Sequence, residues 1–177
     1  SYTQLDRIAK GHNLRVSSDI FNNKKNIAGF VINGSFSGMR DTTSNNTGNL
    51  LYNGGILSQK TKTHIGNSFN YNNFSLNLNY THIFKEGTEI TSNIDYYNYF
   101  MPDGSSQKNI YFDQNENEIS TPYEFRSSSE QLIKIYSAKT DFETGLWEKV
   151  KLESGLKYAV SLTDNSLFRE EREGGIW

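Results

Sequence analysis

The sequence contains no cysteine and only two prolines. Without cysteine, the chain cannot form disulfide bonds, bind zinc through thiolates or use a thiol nucleophile. Long apolar runs are also missing: the most apolar stretch, residues 27–32, is far shorter than the roughly 18 residues of a membrane-spanning helix. The sequence therefore predicts neither thiol chemistry nor a transmembrane helix.

The chain also lacks an excess of either positive or negative charge. Lysine and arginine number 18 and aspartate and glutamate 20, which gives a formal net charge of −2. This balance excludes the usual strongly basic nucleic-acid binder, so we expect no nucleic-acid partner. Hydrophobic residues reach only 34 %, but aromatic residues reach 14 %, and an aromatic-rich composition is not that of a disordered chain.

What the sequence does contain is alternation with a period of two residues. Apolar side chains share the even-numbered positions of several segments: Leu76, Leu78 and Tyr80, and again Leu152, Leu156 and Tyr158. Polar residues occupy the positions between them: Asn77, Asn79, Glu153 and Lys157. This pattern predicts β-strands with one apolar face and one polar face, and helical spacing is convincing nowhere.

The strands are predicted to pair as three hairpins. Short turns are expected near residues 22–26, 85–89 and 146–149, with centres about 62 residues apart. Long polar loops are expected at 40–55, 101–129 and 164–177. The fold class is therefore all-β, an antiparallel up-and-down meander of about six long strands. A soluble sandwich places its strands much closer together, every 8–12 residues or so.

Short turns at one end and long loops at the other are typical of an outer-membrane β-barrel. Lipid cannot hydrogen-bond the backbone, so strands that span it must pair completely. Phe21, Phe84 and Trp147 lie at the short turns, as residues of an aromatic girdle would. We expect residues 1–177 to be a partial segment of a large transmembrane barrel, cut at both ends, with no complete domain. An antiparallel sheet with one wet face also alternates, so a soluble β domain for carbohydrate binding or adhesion remains the alternative.

Three stretches carry a family resemblance: residues 74–96, with an F-K-x-G turn and a terminal Asp95-Tyr96, then 135–142 and 151–158. They resemble the outer-membrane β-barrel family of Bacteroidetes, and in particular the barrel portion of TonB-dependent receptors. The resemblance implies a wall segment of a receptor for nutrient uptake in the bacterial outer membrane. It also implies three kinds of partner, namely outer-membrane lipid, the remaining strands and plug of a parent chain, and a TonB-type energy-coupling protein. No plug domain or energy-coupling box is visible in the sequence.

In such a barrel, the apolar members of the alternating segments would face lipid. These are Leu76, Leu78, Tyr80, Leu152, Leu156 and Tyr158. The polar residues between them would face the lumen, which tolerates amides, hydroxyls and charges.

Aromatic residues also flank the predicted loop at 101–129. Tyr97, Tyr99, Tyr111 and Tyr123 are candidates for ligand contact, because aromatic rings on external loops can stack on sugar rings and other ligands. A membrane girdle combined with loop packing is the simpler interpretation of the same residues.

No metal, cofactor or catalytic site is expected. Asp113, Asn115, Asn117 and Glu124 have the spacing of calcium ligands, but Glu118 occupies the position where that loop needs glycine. A polar hairpin tip explains these residues equally well. The three histidines are not spaced as metal ligands, and no nucleophile or phosphate-loop motif is present, so we do not expect an enzyme.

Overall fold

The chain forms β-strands along almost its whole length. The computed structural model describes residues 3–45, 50–53, 56–147 and 150–172. The strands are β1 (Thr3–Asn23), β2 (Asn26–Asn45), β3 (Leu50–Asn53), β4 (Ile56–Lys85), β5 (Thr88–Phe112), β6 (Tyr123–Trp147) and β7 (Val150–Glu171). None of the described segments forms a helix of the length and apolarity needed to cross a bilayer.

All seven strands belong to one antiparallel sheet. Six long strands pair in the order β1-β2-β4-β5-β6-β7. The short β3 is not part of this order and pairs with the first residues of β4. The predicted all-β meander of about six long strands is therefore confirmed. Over the described residues the sheet does not close, and β1 and β7 form its two edges.

Tight turns join the strands at one end of the sheet. Lys24–Lys25 and Glu86–Gly87 form two of them, inside the predicted ranges. Gly87 has a φ of 69°, a left-handed conformation that glycine adopts without steric cost. The third turn lies between Trp147 and Val150, which pair with each other, and its residues 148–149 fall outside the described part of the chain.

The predicted long loops need correcting, because the strands run far into them. β2 continues to Asn45, β5 to Phe112 and β7 to Glu171. β4 begins at Ile56 and β6 at Tyr123, so much of 40–55, most of 101–129 and 164–171 is paired strand. These segments are rich in Ser, Asn, Thr and Gly on both sides, so they show no alternation, yet backbone pairing holds them in register. Residues 46–49, 54–55 and 173–177 lie outside the described ranges.

The register decides which face of the sheet each side chain occupies. In all five pairings of long strands, even-numbered residues lie opposite even-numbered ones and odd opposite odd, with shifts only beside the short turns. Successive residues of a strand point to opposite sides. All even-numbered residues of the six long strands therefore share one face, the even face, and all odd-numbered residues share the other, the odd face.

The sheet has no hydrophobic core of its own. No hydrophobic side chain is buried among the described residues, whereas Ser75 and Ser137 on the odd face are only 8 % and 9 % exposed. On the even face of the inner strands, Ile94 of β5 is 59 % exposed and Tyr136 of β6 is 46 % exposed. Apolar side chains left outside and hydroxyls sheltered inside are the reverse of the usual arrangement in a soluble domain.

Candidate functional site: the two faces of the sheet

The even face carries a belt of mainly apolar side chains, interrupted by polar residues such as Asn98 and Lys134. We define the belt as the even-numbered residues within 14–20, 28–36, 74–84, 90–100, 132–142 and 152–162. Its height in most strands is close to the 9–11 residues or so that a tilted strand needs to cross a bilayer. All six residues predicted to face lipid lie within it: Leu76, Leu78, Tyr80, Leu152, Leu156 and Tyr158.

Aromatic rings join neighbouring strands across the belt. Tyr96 lies between Tyr136, at 5.1 Å between ring centroids, and Phe74, at 6.3 Å. Such tilted ring pairs stabilise a sheet through cross-strand contact. Ring contacts between side chains therefore connect β4, β5 and β6 in addition to the backbone hydrogen bonds.

Polar groups mark the end of the belt near the short turns. The Tyr80 hydroxyl donates to Asn26 Oδ1 at 2.6 Å, and His82 Nδ1 lies 2.7 Å from the same oxygen. The His82 ring also meets Phe84 edge-on at 4.6 Å. Amphipathic side chains of this kind suit a boundary between apolar and aqueous surroundings.

The odd face carries a hydrogen-bonded polar network in the same stretch of the sheet. Asn77 donates to Asp95 Oδ1 at 2.6 Å, and the Ser137 hydroxyl donates to Asp95 Oδ2 at 2.8 Å. The two oxygens of one carboxylate thus connect β4, β5 and β6. Asp95 thus supplies the hydrogen-bond partner that the nearly buried Ser137 hydroxyl needs.

A second network extends across the other half of the odd face. Asn33 on β2 donates to the Ser75 hydroxyl of β4 at 3.0 Å, and Arg15 on β1 donates to Asn33 Oδ1 at 3.3 Å. The polar face is therefore an ordered surface of amides and hydroxyls that spans neighbouring strands.

The structure brings two of the four candidate tyrosines together. Tyr97 and Tyr99 both lie on the odd face of β5, with ring centroids 6.4 Å apart and planes 9° from parallel. Tyr71 of β4 approaches Tyr99 at 6.3 Å, and its hydroxyl accepts a hydrogen bond from Asn73 at 3.1 Å. The sequence analysis missed Tyr71, although its odd number places it on the same face as Tyr97 and Tyr99.

The other two candidate tyrosines lie elsewhere on the same face. Tyr111 lies 12 positions beyond Tyr99 on β5, or about 40 Å at the usual rise of a strand. The Tyr123 hydroxyl donates to Glu171 at 3.0 Å and accepts from Arg169 at 3.2 Å. Tyr123 therefore already has partners that connect β6 to β7.

A groove opens beside the paired tyrosines. It has a volume of about 450 Å³, within the range of small-molecule sites. Its lining comes from β1, β2, β4 and β5: Asn13, Leu14, Arg15, Asn33, Gly34, Ser35, Asn73, Ser75, Tyr97 and Tyr99.

Ion pairs connect the strands far above the belt, at the end away from the short turns. Glu124 on β6 contacts Lys108 at 2.8 Å and Arg172 at 3.0 Å, with its side chain only 12 % exposed. The hydrogen bonds from Lys108 and then Arg172 lower the pKa of Glu124 below its ordinary value. This pairing holds together the ends of three neighbouring strands.

The four residues with calcium-like spacing serve two separate purposes. Asp113 Oδ1 accepts hydrogen bonds from the backbone N–H groups of Asn115, at 2.8 Å, and Asn117, at 2.9 Å. Hydrogen bonds from the Asn117 side chain and backbone lower the pKa of Asp113. Glu124 instead forms ion pairs with Lys108 and Arg172. Among the described residues, no group of three or more histidine or carboxylate side chains is arranged to hold a metal ion.

Comparison with known proteins connects this two-faced sheet to one family. Residues 81–177 match the family model described as outer membrane protein beta-barrel family. The match covers the end of β4 and all of β5, β6 and β7, which include half of the apolar belt. No curated protein matches the chain.

Proposed function

The chain belongs to the outer membrane protein beta-barrel family, whose model matches more than half of it, and on that premise we propose that it forms part of the wall of a TonB-dependent receptor for nutrient uptake. The family places it in the bacterial outer membrane, as part of a membrane barrel wall. The receptor type and the energy coupling are the proposed part, and the resemblance of residues 74–96, 135–142 and 151–158 supports them.

The observation that carries the proposal is the separation of side chains between the two faces. We assign the apolar belt of the even face to lipid, because inner-strand side chains such as Ile94 and Tyr136 stay exposed there, and an apolar environment makes that exposure favourable. The odd face then borders the lumen, where the hydrogen-bonded Asp95 and its neighbours meet water or protein. In this assignment the segment has a structural and ligand-contacting role and no catalytic one.

The open edges of the sheet define further partners. The outer backbone groups of β1 and β7 have no pairing strand among the described residues, and such groups cannot remain unpaired in lipid. We assign the missing pairs to other strands of the same receptor, which together with these six would close the barrel. A plug domain of that receptor would occupy the lumen beside the odd face.

The energy coupling is tested in cells that produce the intact receptor. One strain lacks the receptor and a second is depleted of its TonB-type energy-coupling protein, and both are grown on a panel of single nutrient sources. Every source lost in the first strain is expected to be lost in the second as well. A source that needs the receptor but not the coupling protein would contradict TonB dependence and leave the wall assignment standing.

The soluble alternative lacks support from the sheet. A carbohydrate-binding or adhesive domain that folds in water needs a hydrophobic core, and no hydrophobic side chain is buried among the described residues. An isolated sheet of this kind would expose its whole apolar belt to water, which is a strong drive to aggregate.

A further inference from the structure

We propose that Tyr97 and Tyr99, with the neighbouring groove, form a binding site for a neutral oligosaccharide on the lumen wall. This inference rests on the proposed function, because it assumes that the odd face borders the lumen. It adds the chemical class of the ligand and the residues that contact it.

The aromatic component of the site comes from β5. The rings of Tyr97 and Tyr99 are nearly parallel, and Tyr71 adds a third ring beside them. Ile135 and Ile133 lie directly opposite Tyr97 and Tyr99 on β6, so the rings lie against an apolar strip. A sugar ring has apolar C–H faces that pack on such surfaces, and the phenol hydroxyls of Tyr97 and Tyr99 can hydrogen-bond to its hydroxyls.

The polar component comes from the strands on the other side of the rings. Asn73 and Ser75 lie opposite Tyr99 and Tyr97 on β4, with Ser35 and Asn33 next to them on β2. Amides supply both donors and acceptors and hydroxyls supply one donor with two acceptor sites. These groups match the equatorial and axial hydroxyls of a sugar, which also donate and accept.

The low charge density of this zone favours a neutral ligand. In the two cross-strand rows that contain Tyr97 and Tyr99, Arg15 is the one charged side chain among the described residues, and it donates to Asn33. The nearest carboxylate along β5 is Asp95, and both of its oxygens already accept hydrogen bonds. The odd face is more strongly charged on both sides of this zone: Lys139 pairs with Asp141 at 2.6 Å nearer the short turns, and Arg7 pairs with Asp41 at 2.8 Å toward the opposite end.

The position of the site also suits a ligand arriving from outside. Tyr97 and Tyr99 lie at the level of belt residues 96–100, at the side of the belt away from the short turns. The groove beside them is open rather than enclosed, and its volume of about 450 Å³ suits one or two sugar units of a longer chain rather than the whole ligand.

The test uses the intact receptor purified in detergent and titrated by calorimetry. Three neutral probes are maltohexaose, cellohexaose and xylohexaose, and hexagalacturonate is the anionic comparison. At least one neutral probe is expected to bind. Tyr97→Ala and Tyr99→Ala should each weaken that binding at least tenfold, as loss of a central aromatic anchor does, whereas Tyr97→Phe keeps the ring and should stay within about threefold.

Tyr96→Ala provides the matched control, because Tyr96 is the adjacent residue on the even face, and its binding should equal that of the unaltered receptor. Each variant is first checked for barrel assembly by its heat-dependent electrophoretic mobility. The proposal is overturned if no neutral probe binds, if hexagalacturonate binds as tightly, or if Tyr96→Ala weakens binding as much as Tyr97→Ala. Lipid accessibility of even-face positions is measured on the same receptor; if it persists while sugar binding fails, the wall assignment survives and only the binding site is lost.

Discussion

The even and odd faces of this sheet share one backbone and one register, yet their side chains differ in polarity. Leu78 and Asn77 are sequence neighbours, and so are Tyr96 and Asp95, but each pair is divided between an apolar belt and a polar network. In a soluble sheet the apolar members would turn toward a core. Here the described residues form no core, and apolar side chains of the inner strands stay exposed on the even face, as a barrel wall in a membrane requires.

The sharpest way to break this comparison is to place the same charge on each face in turn. Leu78→Lys is expected to destabilise the intact receptor by about 2–4 kcal/mol, the cost of a lysine near the bilayer midplane. Asn77→Lys is expected to be tolerated, because its ammonium would lie beside Asp95 on the wet face. Refolding into lipid vesicles under denaturant titration measures both values. Equal losses of unfolding free energy at the two sites would contradict the assignment of the even face to lipid and the odd face to the lumen.

A second prediction concerns the polar network of the odd face. Asp95→Ala leaves the Asn77 amide and the Ser137 hydroxyl without their acceptor, and it is expected to cost about 1–3 kcal/mol. Asp95→Asn retains one acceptor oxygen and should cost less. The same vesicle refolding experiment provides the measurement. Full stability of Asp95→Ala would show that water replaces the carboxylate and that the network is not structural.

A third prediction compares two glycines joined by a backbone hydrogen bond of 2.9 Å beside a short turn. Gly87 has a φ of 69°, so Gly87→Ala is expected to destabilise the hairpin by about 1 kcal/mol. A Cβ at Gly145 meets nothing within 4 Å, and Gly145→Ala should instead stabilise by about 0.4–1 kcal/mol through the unfolded state. Denaturant midpoints of the two variants give the comparison, and effects of the same sign would contradict it.

The smallest predicted effect lies above the belt, where charges connect the strands. Because Lys108 and Arg172 lower the pKa of Glu124, its contribution to stability is complete above the unfolded-state pKa of about 4.3 and is lost as pH falls through the lower folded-state value. The protection factor for amide hydrogen exchange at the start of β6, which corrects for the slower intrinsic exchange in acid, is expected to fall on acidification below that range. Glu124→Gln should remove this pH dependence, and an unchanged profile in that variant would assign it to another group.

The sequence predicted the fold where one face differs from the other, and failed where both faces are alike. Leu76, Leu78 and Asn77 mark a strand by alternation, so the hairpins could be placed. Between 101 and 112 the residues are polar or mixed on both sides, and only long-range pairing with β4 and β6 makes that segment a strand. The local sequence pattern does not indicate that pairing.

The candidate site was predictable in part for the same reason. The shared odd numbering of Tyr97 and Tyr99 indicates one face, and the structure confirms that the two rings lie together. The approach of Tyr71 depends on the register between β4 and β5, which no residue pattern specifies. Whether any of these tyrosines contacts a ligand stays a prediction.

The central claim, that the even face meets lipid and the odd face meets water, is tested most directly by a nitroxide scan. The chain has no cysteine of its own, so single cysteines at positions 74–80 of β4 can be labelled one at a time in the intact receptor in lipid bilayers. Labels at 74, 76, 78 and 80 should collide mainly with dissolved oxygen, and labels at 75, 77 and 79 mainly with a water-soluble nickel complex. A profile without this alternation, or with the two parities exchanged, would contradict the account.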